Sequence, residues 1–259
     1  MPTEIIAEFS SNHGGHRDVL TRMLNEAVMA RVDRIKVQSY QVRHLASTDP
    51  QYAWLKQAEL TDADHTWLIK ECAKKGIDFL TTVFHPSRVP FLADLGLDAI
   101  KVGSGEASNP VLLEAIAAHP WKVYLSTGLV TGADLDRAVD ILGHNRLTLM
   151  HTVSEYPTPT YRVNLPRMSW LAVRHGMPVG YSDHTSGIHA AMAAISRGAE
   201  AVEVHSVARG DAPRHMVWDK DVEDLTTLVL FRDAVAKMMY ARRMLWEPQE
   251  ERPHVGRWR

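Results

Sequence analysis

The sequence predicts an α/β fold, a single (β/α)8 TIM barrel, on three observations. Short β-rich runs alternate eight times with longer stretches of helical period. The chain has 259 residues, 45% of them apolar, a length at which such barrels run as one domain. The rival arrangement, a doubly wound open sheet, carries a glycine-rich fingerprint after its first strand, and no G-x-G-x-x-G follows the first β-rich run here.

The first unit joins EIIAEF (4–9) to the helical pattern DVLTRMLNEAVMAR. Between them lies SNHGG, a turn by composition, since Asn and Gly accept positive φ, or else part of a site. The second unit joins RIKVQ (34–38) to DADHTWLIKECAKKG across a long connection, 39–61. Long βα loops in compact domains serve as lids or partner contacts. Tyr40, Leu45, Tyr52, Trp54 and Leu55 offer apolar surface there, for a homodimer or for packing on the barrel itself.

The third and fourth units are IDFLTTVF (77–84) with RVPFLADLG, and DAIKVGS (98–104) with NPVLLEAIAAHP. The fifth and sixth are KVYLST (122–127) with GADLDRAVDILG, and LTLMHTVS (147–154) with the region near NLPRMSWLAVRHG. The last two are MPVGYSD (177–183) with GIHAAMAAISRGA, and AVEVHSV (201–207) with VEDLTTLVLFRDAVAKMMYARRML. Apolar spacing of three and four marks the helices, and Gly76, Gly143 and Gly198 follow three of them. The expected barrel covers 1–245, and 246–259 forms a C-terminal tail.

A net charge of −2 gives no bulk electrostatic case for nucleic acid or an anionic membrane. A local basic site for a small anion stays open. The one cysteine, Cys72, rules out an internal disulfide and fits a reducing compartment. The start, MPTEIIAEFS, lacks a basic n-region, and no apolar run reaches the length of a membrane span. The expectation is a soluble, cytoplasmic protein.

Barrel active sites form at the C-terminal ends of the strands. Those ends carry Glu8, Ser11, Asn12 and His13; Lys36 and Gln38; Thr81 and Thr82; Lys101, Ser104 and Glu106; Ser126 and Thr127. The later strands add His151, Ser154 and Tyr156; Ser182, Asp183 and His184; Glu203 and His205. Lone Ser and Thr at such places are commonly helix N-caps, and a lone strand Lys commonly snorkels. Two lysines inside otherwise apolar strands are different, because a buried ammonium without a partner is costly. Lys36 and Lys101, ringed by hydroxyls, form a pocket for a phosphate or carboxylate. His184 and His205 fall at matching ends of adjacent strands. They are core histidines or a pair that binds one divalent ion.

The chain resembles the N-acetylneuraminate (sialic acid) synthase family, which also includes legionaminate and pseudaminate synthases. The resemblance rests on IIAEFSSNHGG, IKVQ, FLTTVF, IKVGSGEASNPVLLEAIA, LSTG, HTVSEYPTP, VGYSDHTSG and AVEVH, in that order over about 4–225. It implies a (β/α)8 barrel that condenses phosphoenolpyruvate with an amino-sugar aldehyde, assisted by a divalent metal ion, Mn2+ or Mg2+. It implies that Lys36, Thr82, Lys101, Ser104, Ser126, Ser154 and Ser182 hold phosphoenolpyruvate. It implies that Glu8 handles the attacking water, that Gln38, Glu106 and Tyr156 face the acceptor, and that Asn12 shapes the barrel mouth as a substrate-side residue. The catalytic set would be Glu8, Lys101, Glu106 and His184, with His184 and His205 as metal ligands.

Several positions depart from the family pattern. Ser154 stands where Asn is frequent. Gly14 replaces an Asn, implying a more flexible loop. Val204 replaces a basic residue, and the acid of the following loop is either Asp211 or Asp219, with Arg214 near its expected place. The family continues into a C-terminal antifreeze-like domain, whereas this sequence runs to Arg259, with Arg252, Arg257, Trp258 and Arg259 in its last stretch. These departures cluster on the acceptor side and suggest a non-standard aldehyde. Two other readings stand beside the synthase: a metal-dependent barrel lyase or aldolase that does not use phosphoenolpyruvate, and a non-catalytic sugar-phosphate-binding relative.

Overall fold

The computed structural model describes residues 2–210 and 212–239. Eight parallel strands close into a barrel in sequence order: β1 (Glu4–Glu8), β2 (Arg34–Ser39), β3 (Asp78–Val83), β4 (Ala99–Val102), β5 (Lys122–Ser126), β6 (Leu147–Thr152), β7 (Val179–Asp183) and β8 (Ala201–His205). β8 returns to β1, with Glu8 opposite His205. Each β-rich run of the sequence therefore becomes one stave.

The helices ring the barrel: α1 (Arg17–Ala30), α2 (Tyr52–Ala58), α3 (Asp62–Lys75), α4 (Val89–Asp94), α5 (Pro110–Ala117), α6 (Gly132–Leu142), α7 (Pro166–His175), α8 (His189–Ser196) and α9 (Val222–Met239). α2 is additional to the eight expected units and lies inside the long 39–61 connection. α3 shows why local sequence fixes an end. Thr61 and Asp64 cap each other's backbone N–H groups, and Gly76 closes the helix at φ +67°. The expected end of the barrel at 245 and the tail lie outside the described residues.

Two apolar layers hold the fold. The larger lies between the outer faces of the strands and the helices, with residues such as Ile35, Val37, Leu68, Leu112 and Val204 fully buried. Each such side chain contributes roughly 1.5–3 kcal/mol by leaving water. The smaller layer fills the barrel interior with Ile6, Leu80, Ala99, Tyr124, Met150 and Ala201. Beneath it, at the N-terminal end, Arg34 pairs with Glu4 at 3.0 Å and with Asp98 at 2.9 Å.

Tyr40, Leu45, Tyr52, Trp54 and Leu55 are half-buried against their own barrel. The Tyr40 hydroxyl donates to the Leu55 carbonyl at 2.9 Å, and the Trp54 indole N–H donates to Ser11 Oγ at 2.9 Å. No helix among the described residues is long and apolar enough to cross a membrane.

Candidate active site

The strand period of two builds the site directly on the interior layer. Glu8 follows Ile6 by two positions, Thr82 follows Leu80, Lys101 follows Ala99, Ser126 follows Tyr124, and Glu203 follows Ala201. Lys36 and Ser182 take the same level on β2 and β7, two positions after Arg34 and Gly180. One level packs the barrel and the next presents charge and hydroxyls to its mouth.

That mouth holds a cavity of about 400 Å3. Glu8, Lys36, Gln38, Thr82, Lys101, Ser104 and Glu106 line one side of it. Ser126, Ser154, Tyr156, Ser182, His184 and His205 line the rest. Asn12 is the exception. Its side-chain amide donates to the Ser206 carbonyl at 2.9 Å, and the residue lines an adjoining polar cavity instead.

The floor is a buried charge cluster. Lys36 contacts the Glu8 carboxylate and donates to Thr82 Oγ1 at 2.8 Å. Glu203 spans both lysines, with Oε1 3.5 Å from Lys36 and Oε2 3.4 Å from Lys101, and it accepts from Ser182 Oγ at 3.0 Å. Burial opposes ionisation of Glu203, but Lys101 and Lys36 overcome it and hold the carboxyl down at about 2. Burial pushes Glu8 up and Lys101 down. Burial also pushes Glu106 up.

Glycines bring the hydroxyls together. A Cβ on Gly128 would sit 2.6 Å from Ser154 Oγ and 3.0 Å from Ser104 Oγ, and the Gly128 N–H donates to Ser104 Oγ at 3.0 Å. A Cβ on Gly103 would sit 2.5 Å from Glu106 Oε2. Both positions need the absence of a side chain, so that two hydroxyls and a carboxyl converge on one space.

The two histidines stand side by side, ring centroids 5.4 Å apart and planes at 71°. His184 Nδ1 donates to the Val153 carbonyl at 2.7 Å, which leaves its Nε2 lone pair available. Burial lowers His184 to about 4 and His205 well below its ordinary value, so both rings are neutral near pH 7. Neutral imidazoles with an available lone pair suit a divalent ion. Among the described residues no group of three or more His, Cys, Asp or Glu side chains is arranged as a metal cage. Such an ion would complete its shell with water or substrate. Tyr156 stacks on His184 at 3.9 Å and meets Trp218 edge-on at 5.5 Å.

The first βα loop has a packing reason for its glycines. Gly14 has φ +57°, and a Cβ there would sit 2.9 Å from Pro213 Cβ and 3.3 Å from Trp54. The expectation of a looser loop at Gly14 is thus replaced by a close approach of three segments. Asp219 accepts from the Met216 N–H at 2.7 Å and so closes its own turn, while Asp211 lies outside the described residues.

The role of Glu203 was missed at the sequence level, although the alternation in AVEVH places it on the same face as His205. Thr152 and Phe84 also line the cavity without having been singled out.

Residues 23–239 match the NeuB family. The chain is 34% identical over 223 residues to an N,N'-diacetyllegionaminic acid synthase of Campylobacter jejuni, covering 78% of this chain and 67% of that protein. It is 29% identical to an N-acetylneuraminate-9-phosphate synthase of Drosophila melanogaster, covering 87% of this chain and 66% of that protein. The crystal structure of an N-acetylneuraminic acid synthetase from Leptospira borgpetersenii, in complex with citrate, superposes with a TM-score of 0.89 at 29% identity, over 97% of this chain and 90% of that one. A closed barrel with a buried lysine and hydroxyl cradle, matched to this family over most of its length, leads to one assignment: the chain belongs to the NeuB family.

Proposed function

We propose that this chain condenses phosphoenolpyruvate with a sugar or sugar-like aldehyde, yielding a 2-keto-3-deoxy acid and phosphate. The observation that carries the reading is the convergence of Lys36, Lys101 and the hydroxyls of Thr82, Ser104, Ser126, Ser154 and Ser182 on one cavity. Phosphoenolpyruvate carries a phosphate and a carboxylate, and two cations with several hydroxyl donors match both. The NeuB membership and the named synthases among its relatives support the same reaction class, a carbon–carbon bond-forming transferase.

The chemistry divides among the residues. C3 of phosphoenolpyruvate bonds to the aldehyde carbon, and the carbonyl electron pair moves onto its oxygen. Glu106, whose carboxyl burial pushes up, delivers the proton to that oxygen. Water then bonds to the electron-poor C2 and gives its proton to Glu8. The C2–O bond to phosphate breaks as the new hydroxyl passes its proton to the departing phosphate oxygen, leaving the ketone and inorganic phosphate. Gln38 and Tyr156 orient the acceptor. His184 and His205 would hold a divalent ion, Mn2+ or Mg2+, which supplies Lewis-acid polarisation of the aldehyde.

The test is to incubate the protein with phosphoenolpyruvate, Mn2+ and a panel of aldoses, following phosphate release and product mass. The expected result is aldehyde-dependent release, lost in Lys101→Ala and His184→Ala. Absence of phosphoenolpyruvate binding by calorimetry would overturn the reading.

A further inference from the structure

We propose that the cavity adjoining the active site is an anion subsite, in which Arg214 reads a phosphate or carboxylate at the end of the acceptor remote from its aldehyde. The inference rests on the function proposed above, which sets the aldehyde near Tyr156 and His205. The adjoining cavity, about 460 Å3, shares Gln38, Tyr156 and His205 with the catalytic one. An acceptor seated at that shared wall runs directly into it. Ser10, Asn12 and Gln51 give the cavity hydroxyl and amide groups. Arg214 is the one arginine or lysine among its described lining residues, and no Asp or Glu stands with it there.

Arg214 is presented rather than spent. Its guanidinium lies 5.5 Å from the Trp54 ring centroid, and Nη1 donates to Gln51 Oε1 at 3.3 Å. No carboxylate among the described residues pairs with it. A guanidinium carries five N–H donors, so the others remain for a ligand. Lys36 and Lys101, by contrast, are matched by Glu8 and Glu203. The platform is braced from two sides. Trp54 is tied to Ser11, and Pro213, the residue before Arg214, packs where Gly14 leaves no room for a Cβ.

A third cavity opens on the other side of Gln38 and is a poorer home for an anion. Tyr40, Leu45 and Leu55 line it, and it includes the Glu106 carboxyl. An acceptor with a charged end is thus drawn to the Arg214 side and away from the apolar wall of the third cavity.

The test measures binding, with the full chain saturated with phosphoenolpyruvate and a chelator present to prevent turnover. The probes are N-acetylmannosamine, its 6-phosphate and the corresponding 6-carboxylate (the uronic acid). The expected result is that one anionic probe binds at least about tenfold more tightly than the neutral one, the scale of a charge-assisted hydrogen bond. Arg214→Gln loses that preference, Arg214→Lys keeps part of it, and phosphoenolpyruvate affinity stays at the wild-type value in both. Preference for the phosphate or for the carboxylate identifies the anion. Equal or undetectable binding of all three probes, or a preference that survives in Arg214→Gln, overturns the inference. If phosphoenolpyruvate itself does not bind, the proposed function fails and this inference with it. If it binds and no anion is preferred, this inference fails alone.

Discussion

Lys101 Nζ stands 3.4 Å from the Glu203 carboxylate, whose other oxygen stands 3.5 Å from Lys36. One carboxylate therefore bridges both buried cations of the cavity floor, with Glu8 as the second partner of Lys36. Glu203→Gln keeps the shape and the partnership with Ser182 but removes the charge. Breaking a buried ionic cluster in this way costs about 3 kcal/mol. Phosphoenolpyruvate brings replacement negative charge, so it should raise the melting temperature of the variant more than that of the wild type. Denaturant and thermal melts with and without phosphoenolpyruvate check both parts. An unchanged midpoint for Glu203→Gln would sink the idea.

Gly128→Ala probes the hydroxyl cradle. The added methyl would sit 2.6 Å from Ser154 Oγ, 2.9 Å from Thr152 Cγ2 and 3.0 Å from Ser104 Oγ. The serines must turn away, and the hydroxyls then no longer converge. Losing one or two hydrogen bonds to a charged ligand lowers phosphoenolpyruvate affinity by about tenfold or more. The fold should persist, because the strain falls on short side chains at a cavity wall. Calorimetric titration with phosphoenolpyruvate reads the loss. Wild-type affinity in the variant would count against the cradle.

Much of this arrangement was legible in the sequence because a barrel repeats one local rule. Strand alternation identifies Lys36 and Lys101 as inward-facing charges, and barrel geometry puts both at the mouth. What stayed hidden depends on closure. Glu203 looks like one more polar residue until β8 comes round to face the lysines of β2 and β4. Gly14 reads as a turn glycine until Pro213, far along the chain, packs against it. Asn12 has the right position for the mouth, but it lines the adjoining cavity, with one amide N–H donated to the Ser206 carbonyl across the barrel seam. α2 was missed because its short helical stretch lies within a connection dominated by polar turns.

Lys220 is fully buried, and its ammonium donates to the Thr185 carbonyl at 2.8 Å and the Trp218 carbonyl at 2.7 Å. It ties the turn after His184 to the loop that carries Arg214 and Trp218. Lys220→Met fills the same space with a side chain that cannot donate. Two carbonyls lose their partner, at about 1–3 kcal/mol each. The expected result is a loss of about 2–4 kcal/mol in stability by urea denaturation. A variant as stable as the wild type would mean that water replaces the ammonium and that the tie is weak.

His13 makes stability depend on pH. It is 1% exposed, Nδ1 accepts from the Gly15 N–H at 3.0 Å, and burial lowers it from 6.5 to about 4. Between those values the unfolded chain binds a proton that the folded chain refuses. Stability therefore rises with pH across this window, and is lost as pH falls from 6.5 toward 4. At 1.36 kcal/mol per pH unit, the full window is worth about 3 kcal/mol for this one group. His184, also lowered to about 4, titrates over the same range and steepens the wild-type slope. His65, His151 and His205 are lowered by burial as well and add to it. His13→Asn removes one of these contributions, so its stability should fall less between pH 7 and pH 4.5. Urea denaturation of both proteins at those two pH values measures the difference. Equal losses would show that the folded chain accepts a proton at His13 as readily as the unfolded one.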